Sequence, residues 1–582
     1  MALISIDKFI GGLHKTDITS DIQLEPSEAT DILNVEYYPR GAIARRDGYE
    51  TLNMSAAAQT LSARGLQNAL RVFGFEDHAG STINLLYTPS ATTNSASVYA
   101  LSIANGVLTA QDVLSAQFYP TSMWAPKISA GALQVISYGG SALATYARGI
   151  PPMSYYSSSP ASAKPETNVG VSGACVAAWG AYLFLGNVLT SAGDTEKSRV
   201  YWNSNGEIGT WPSYYFIDLD PDDGDEVIAM RLLSDYLVVF KRNKIFILYW
   251  VGGTLLFKEA RRSSDIGCVA PNSIVERNKK LYFLADDGIY SFDGTDVREI
   301  SKKIKSEIEK IRSDMRHLAH AGIYEKHRQL WFSVPTNEAP NSEVADGEVR
   351  CNRVFVFDYE LENWTIYDIA CNDLAIMEIT QDTTWASLDI IFNSDSRKIS
   401  NFAMSIQPEL YLLHDDVISG SGSDAISSVI SRFGGSAFDG ISATPITTRW
   451  VSPWYDMQDQ TTSKRLTRMT LIADQLGDQT LTGAAVGVKI HEDWKNTVYA
   501  LPSGAPTTTS LFTIYLTGHS SSMCGETVES FRDNFPMEVR IDTSRTVRSW
   551  QAVLSSSSSD VNPWIVHRII FDGLTKGKTK VT

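Results

Sequence analysis

The chain lacks most features by which a sequence declares a chemistry. No apolar run approaches roughly 18 residues, the length a membrane-crossing helix needs, so no membrane span is expected. Its five cysteines, Cys175, Cys268, Cys351, Cys371 and Cys524, are scattered through 582 residues with no C-x-x-C pair. An odd, dispersed set reads as buried thiols of a chain made in a reducing cytoplasm. The start, MALISIDKFIGGL, has no basic segment ahead of its short apolar run, so no secretory signal is expected. There is no G-x-S-x-G elbow, no Walker loop and no G-x-G-x-x-G after a strand. Positive charge is also short: 50 Lys and Arg face 66 Asp and Glu, a net charge of −16. That excludes a protein whose main task is gripping nucleic acid by its phosphates. It leaves open an acidic lumen along which DNA slides without sticking.

What is present is aromatic, glycine-rich and strand-like. Thirteen Trp, 25 Tyr and 22 Phe stand beside 40 Gly, a balance that favours strands and tight turns over helical bundles. From about residue 65, short apolar runs recur between turn residues: LRVFGF, LQVISY, AYLFLGN, YLVVFK, KLYFLAD, QLWFSVP and DIIFNS. YLVVFK and KIFILYW flank Arg242-Asn243, and KLYFLA and IYSFDG flank Asp286-Asp287-Gly288, both hairpin signatures. Taking one strong strand per unit gives starts near 71, 133, 181, 236, 280, 329 and 389. These intervals suit four-stranded propeller blades, so the expected fold is all-β, a β-propeller of six or seven blades.

Four regions follow: an N-terminal arm and hairpin over 1–60, the propeller over 61–415, a Gly/Ser-rich linker or loop over 416–444, and a C-terminal β-sandwich or barrel over 445–582. Two helices are expected within them. Pro26 and Ser27 open a short one that gives out near Asn34, and REISKKIKSEIEKIRSDM, 298–315, spaces Ile300, Ile304, Ile308 and Ile311 along one face.

Candidate chemistry is sparse. The carboxylates of DLDPDDGDE, 218–226, suit a Ca²⁺ ligand set, but counting from Asp218 puts Asp223 where an EF-hand needs glycine and Ala229 where it needs glutamate. An acidic turn is the simpler reading. His317, His320 and His327 lack a cysteine or acidic partner at zinc spacing. Asp286, Asp287 and Asp293 sit in D-D-G and F-D-G turns. No catalytic residue, cofactor site or metal site is expected, and the chain does not read as an enzyme.

The most distinctive pattern lies near the start. Phe9, Gly11, Gly12 and Leu13 precede Leu24, Pro26, Glu28 and Ala29; Asn34, Val35, Gly41, Ile43, Arg46, Gly48 and Tyr49 follow. With EVIAMRLLSDYLVVFKRNKIFIL, IGCVAPNSIVERNKKLYFLADDGIYSFDG, RVFVFDYELENWT and W-x-S-P-W-Y-D at 450–456, this order resembles the nozzle proteins of short-tailed bacteriophages. That family is also called tail hub or tail tubular protein B. The resemblance covers about residues 9–456.

It implies a hexameric ring of propeller protomers below the adaptor ring of the portal, in a virion assembled in the host cytoplasm. Genome DNA would pass through the lumen without sequence-specific binding, and fibres or spikes would dock at the side. The 1–60 arm and the 416–440 loop are the expected contacts to neighbours or adaptor. Gly41 and Gly48 would serve turns, Tyr49 would anchor the arm, and Arg45 and Arg46 would pair with acidic groups of the same or the next chain. The alternatives are another β-rich virion component (spike, fibre or neck protein) and a glycan-binding propeller. A fibre would carry long repeats or heptads, and a secreted lectin a signal or a per-blade sugar motif; this chain has neither.

Overall fold

A computed structural model describes residues 2–15, 24–39, 41–51, 53–54, 71–76, 82–89, 96–104, 107–118, 133–138, 141–146, 153–156, 164–165, 172–189, 195–204, 211–253, 256–263, 265–338, 351–377, 409–418, 425–436, 438–439, 444–457, 462–475, 484–492, 512–516, 537–556 and 564–575. Among them, seven antiparallel meanders succeed one another along the chain. The first occupies 71–118 and the next five 133–165, 172–218, 227–263, 275–299 and 320–367. The seventh takes three strands from 373–436, and its fourth, Gly48–Thr51, comes from the other end of the chain. The first strands of the sixth and seventh sheets lie side by side, and that of the seventh lies against that of the first, so the ring closes. The fold is an all-β propeller of seven blades.

The runs that stand out in the sequence are mostly the second strands of blades. Tyr236–Lys241 and Gln329–Val334 are buried almost throughout, because each has a strand on both edges and a neighbouring blade on both faces. Their side chains divide by parity. Leu237, Val239, Phe246 and Leu248 pack with Phe184, Val200 and Trp202 of the third blade. Val238, Phe240, Ile245 and Ile247 pack with Leu281, Phe283 and Phe292 of the fifth. Two apolar faces per strand explain why these segments read as continuous apolar runs instead of alternating ones. The strand expected at DIIFNS, 389–394, lies outside the described residues.

Beside the propeller sit two further sheets. One contains Met537–Val547, Lys464–Gln475, Trp564–Thr575, Ile43–Arg45 and Val35–Glu36, with Ala2–Ile6 also paired to Trp564–Thr575. The other orders Asp31–Leu33, Thr448–Val451, Trp550–Ser556, Ala484–Glu492 and Phe512–Leu516. Residues of both sheets, including Trp450, Met469, Leu554, Trp564 and Phe571, share one core, as in a β-sandwich. The stretch set apart in the sequence as an arm therefore runs as strands of both the sandwich and the seventh blade.

Three expectations are corrected. Residues 26–34 form no helix: Glu28–Ala29 and Asp31–Leu33 are strands, and their backbone bonds go to distant partners, His14 N–H to the Ala29 carbonyl and Thr30 N–H to that of Val451. The helix over 298–315 shrinks to a 3₁₀ turn, Lys302–Ile304, and one α-turn, Lys305–Ile308. Its first residues instead pair as the outer strand of blade five, although Ile304, Ile308 and Ile311 are buried as the spacing requires. The linker or loop over 416–444 is largely a hairpin of blade seven, with Tyr411 opposite Arg432 through to Ile418 opposite Ala425. Burial of Ile430 and Phe433 outweighs the polar composition that suggested a linker.

Candidate functional site

The residues that carry the amino-terminal pattern converge on one joint between the propeller and the sandwich. Phe9 is fully buried and meets the Trp450 ring edge-on at 5.4 Å. Gly11 lies so close to Glu28 that a Cβ would stand 2.5 Å from the Glu28 Cγ. Gly12 has φ +71°, and its Cβ would stand 2.5 Å from the Asn363 Cβ of blade six. Both glycines are thus required by close backbone approach, and Gly12 also by its left-handed conformation. Leu13 is buried in the shared core. Gly41 (φ +83°) turns the chain after the cis Tyr38–Pro39 peptide and bridges back to Phe9.

Asn34 is the hub. Its N–H donates to the Ile366 carbonyl of blade six, and its side-chain amide donates to the Thr447 carbonyl of the sandwich, each at 2.8 Å. Its side-chain oxygen accepts from Arg46 Nε and from the Asp368 N–H, also at 2.8 Å. With the Arg46 N–H donating to its carbonyl at 3.2 Å, five bonds hold this residue at φ 54°, a conformation asparagine tolerates better than most residues.

Arg46 is 1% exposed and binds Asp439 through both terminal nitrogens, at 2.8 and 2.5 Å. Burial opposes its charge, but the Asp439 carboxylate overrides this and raises the guanidinium above its ordinary value. Arg45 is buried too. Gly48 and Tyr49 open the strand that closes blade seven, with Tyr49 opposite Phe433 and its ring edge-on to His414 at 4.9 Å. The arginine pairing is therefore within the chain at Arg46. The described strands of 1–60 and 416–440 likewise pair within the chain's own sheets.

Further charges bind the amino-terminal segment to blades five and six. Glu28 takes His14 at 3.1 Å and Lys303 at 3.0 Å. Burial pushes its carboxyl up, and the bonds and charge from Lys303, Glu25 and His14 bring it below the ordinary value. Lys15 reaches the buried Glu307 at 2.7 Å. Glu36 and His327, both buried, meet at 3.1 Å. Sequence reasoning singled out the glycines, Leu13, Tyr49 and the two arginines, but missed Asp439 and Asn363 as their partners, and the Glu36–His327 pair. An Asp in the F-D-G at 438–440 was a signal, hidden within a Gly/Ser-rich run.

The acidic candidates are otherwise occupied. In the 218–226 loop, Asp218 pairs with Arg199, Asp220 with Lys244 and Arg261, and Asp223 with Lys241 and Lys244. Asp225 caps the N–H groups of Arg242 and Asn243. The loop neutralises Lys241, whose side chain is fully buried. Asp286 pairs with Arg242, Asp287 accepts from the Tyr290 hydroxyl, and Asp293 caps Thr295 and Asp296. Burial lowers the His317 imidazole, while His320 lies buried at the start of a blade-six strand. Among the described residues, no group of three His, Cys, Asp or Glu is placed to hold a metal ion. No described helix is long and apolar enough to cross a membrane. Cys175, Cys268, Cys351 and Cys371 are buried and outside any disulfide, and burial raises Cys175 and Cys268 to about 12.

No protein-family model and no curated protein matches the chain. Solved structures similar to it include the Pan2 WD40 domain of Neurospora crassa, at 10% identity over 67% of this chain and 96% of that one, with a TM-score of 0.33. A GH93 alpha-L-arabinofuranosidase of Fusarium graminearum, in complex with arabinobiose, is 7% identical over 53% of this chain and 96% of that one, with a TM-score of 0.30. A protein from Lactobacillus plantarum is 13% identical over 62% of this chain and 98% of that one, also at 0.30. At these values none bears on function, and the propeller assignment rests on the strand order itself.

Proposed function

We propose that this is a structural, non-enzymatic virion protein, the nozzle of a short phage tail. In this reading it forms a ring below the portal adaptor, conducts and gates the genome during ejection, and anchors fibres or spikes. The observation that carries the reading is the ordered set of pattern residues from Phe9 to Tyr49, which meet at one joint instead of lining a cleft. A joint that ties two β bodies into one chain suits a protein that bears load. The carboxylates singled out in the sequence, Asp218, Asp223, Asp286 and Asp293, are engaged in ion pairs and turns, which favours a structural role for them over a glycan-acting one.

The test is the copy number of this chain in purified virions, measured by quantitative mass spectrometry against the portal protein. About six copies per twelve portal subunits is the result expected of a single six-fold ring. A multiple of three well above that points to a spike or fibre, and absence from the particle overturns the virion reading.

A further inference from the structure

Glu36 and His327 are far apart in sequence yet form a buried pair where the amino-terminal segment meets blade six. Glu36 lies in the strand Val35–Glu36, paired to Ala44. His327 ends the 3₁₀ turn Glu325–His327, between two strands of the blade. The imidazole Nδ1 stands 3.1 Å from Glu36 Oε2, with side-chain exposures of 4% and 7%. Tyr38 stacks on the imidazole at 4.2 Å, only 14° from parallel, and Tyr324 meets it edge-on at 4.9 Å. Tyr38 is itself 45% exposed, so it forms the outer cover of the pair. The same short segment also bonds the blade through the Thr365 hydroxyl, which donates to the Val35 carbonyl.

We propose that this pair is a proton-operated latch, which holds residues 34–38 on blade six at mildly acidic pH and releases them as pH rises. The proton concerned is that of the Glu36 carboxyl, 3.1 Å from His327 Nδ1. When it leaves to solvent, a buried carboxylate remains in the site. The groups facing the site do not restore the balance. Asp47 adds a second negative charge from the amino-terminal segment, and Lys326 of the turn is the opposing cation. Arg46 is committed to Asp439, and Glu409 of blade seven acts on the neighbouring Tyr324. Tyr324 and Tyr367, both buried, complete the wall.

Burial raises the Glu36 carboxyl above its ordinary value and Asp47 adds to this, while His327 and Lys326 only partly draw it back. A carboxyl raised in the closed state binds its proton more tightly there than in the open one. The stabilisation is complete below the ordinary carboxyl value and is lost as pH rises through the raised one.

Hydrogen–deuterium exchange of the full chain, followed by mass spectrometry from pH 5 to 8 and corrected for intrinsic exchange, tests this. Peptides spanning 33–39 and 324–329 are expected to lose protection progressively as pH rises through this range. A blade-four peptide spanning 244–250 is expected to stay constant. Glu36→Gln keeps an acceptor without the titration and is expected to give a flat profile. Constant wild-type protection at 33–39, or the same loss in Glu36→Gln, overturns the latch. If that variant does not fold, the wild-type profile decides alone, with His327→Gln as the second variant.

Discussion

A buried charge is stable only as well as it is paired, and Arg46 shows how closely this fold depends on single residues. Its guanidinium is 1% exposed, bound to Asp439 on one side and to Asn34 on the other. Breaking such a pair strands the remaining charge, at a cost of about 3–5 kcal/mol. Arg46→Met is therefore expected to lower the unfolding free energy measured by urea titration by that order, with Asp439→Leu costing a similar amount. The double variant is expected to lose clearly less than the sum, because neither charge is then left alone. Additive losses would show that the two side chains do not meet.

At the scale of the element, the strand Gly48–Thr51 completes blade seven from the other end of the chain. It pairs with Ala425–Ser436 by placing Thr51 opposite Ser431, and their hydroxyls lie 3.0 Å apart although 380 positions separate them. Directly opposed residues of antiparallel strands have the spacing a disulfide needs. Thr51→Cys with Ser431→Cys is expected to cross-link on mild oxidation and raise stability by about 2–4 kcal/mol, since it closes a very long loop. Failure to cross-link in the folded protein would deny this pairing.

This strand also marks what was legible in the sequence. The second strands of blades announced themselves because burial on two faces demands continuous apolar runs such as LVVF and LWFSV. The edge strands of blade five, Val275–Arg277 and Val297–Glu299, are three residues each and half exposed, so they left almost no signal. Gly41, Arg46 and Gly48 could be recognised as a pattern. Their partners could not, because Asp439 lies 393 positions from Arg46 and His327 lies 291 from Glu36. Local periodicity likewise suggested a helix over 298–315, where pairing with blade five and the anchoring of Glu307 by Lys15 prevailed.

For the whole molecule, the consequence of this weaving is that neither β body is complete in one stretch of chain. The sandwich draws Ala2–Ile6, Asp31–Leu33, Val35–Glu36 and Ile43–Arg45 from the amino terminus. Asp31–Leu33 covers the edge of Thr448–Val451, and Ile43–Arg45 and Ala2–Ile6 pair with Trp564–Thr575. Without them the fragment 445–582 would present open strand edges and uncover Trp450, which Phe9 now contacts. Each large apolar side chain re-exposed costs about 1.5–3 kcal/mol, so losing a few of them removes the margin of an ordinary domain. The isolated fragment 445–582 is therefore expected to lack a cooperative thermal transition and to bind a hydrophobic dye. A fusion of residues 1–46 to its start through a flexible linker is expected to restore both the transition and a dispersed amide spectrum. Cooperative unfolding of 445–582 alone would show that the amino-terminal strands decorate a self-sufficient sandwich. The two bodies would then be separable units, where the shared strands require them to fold as one.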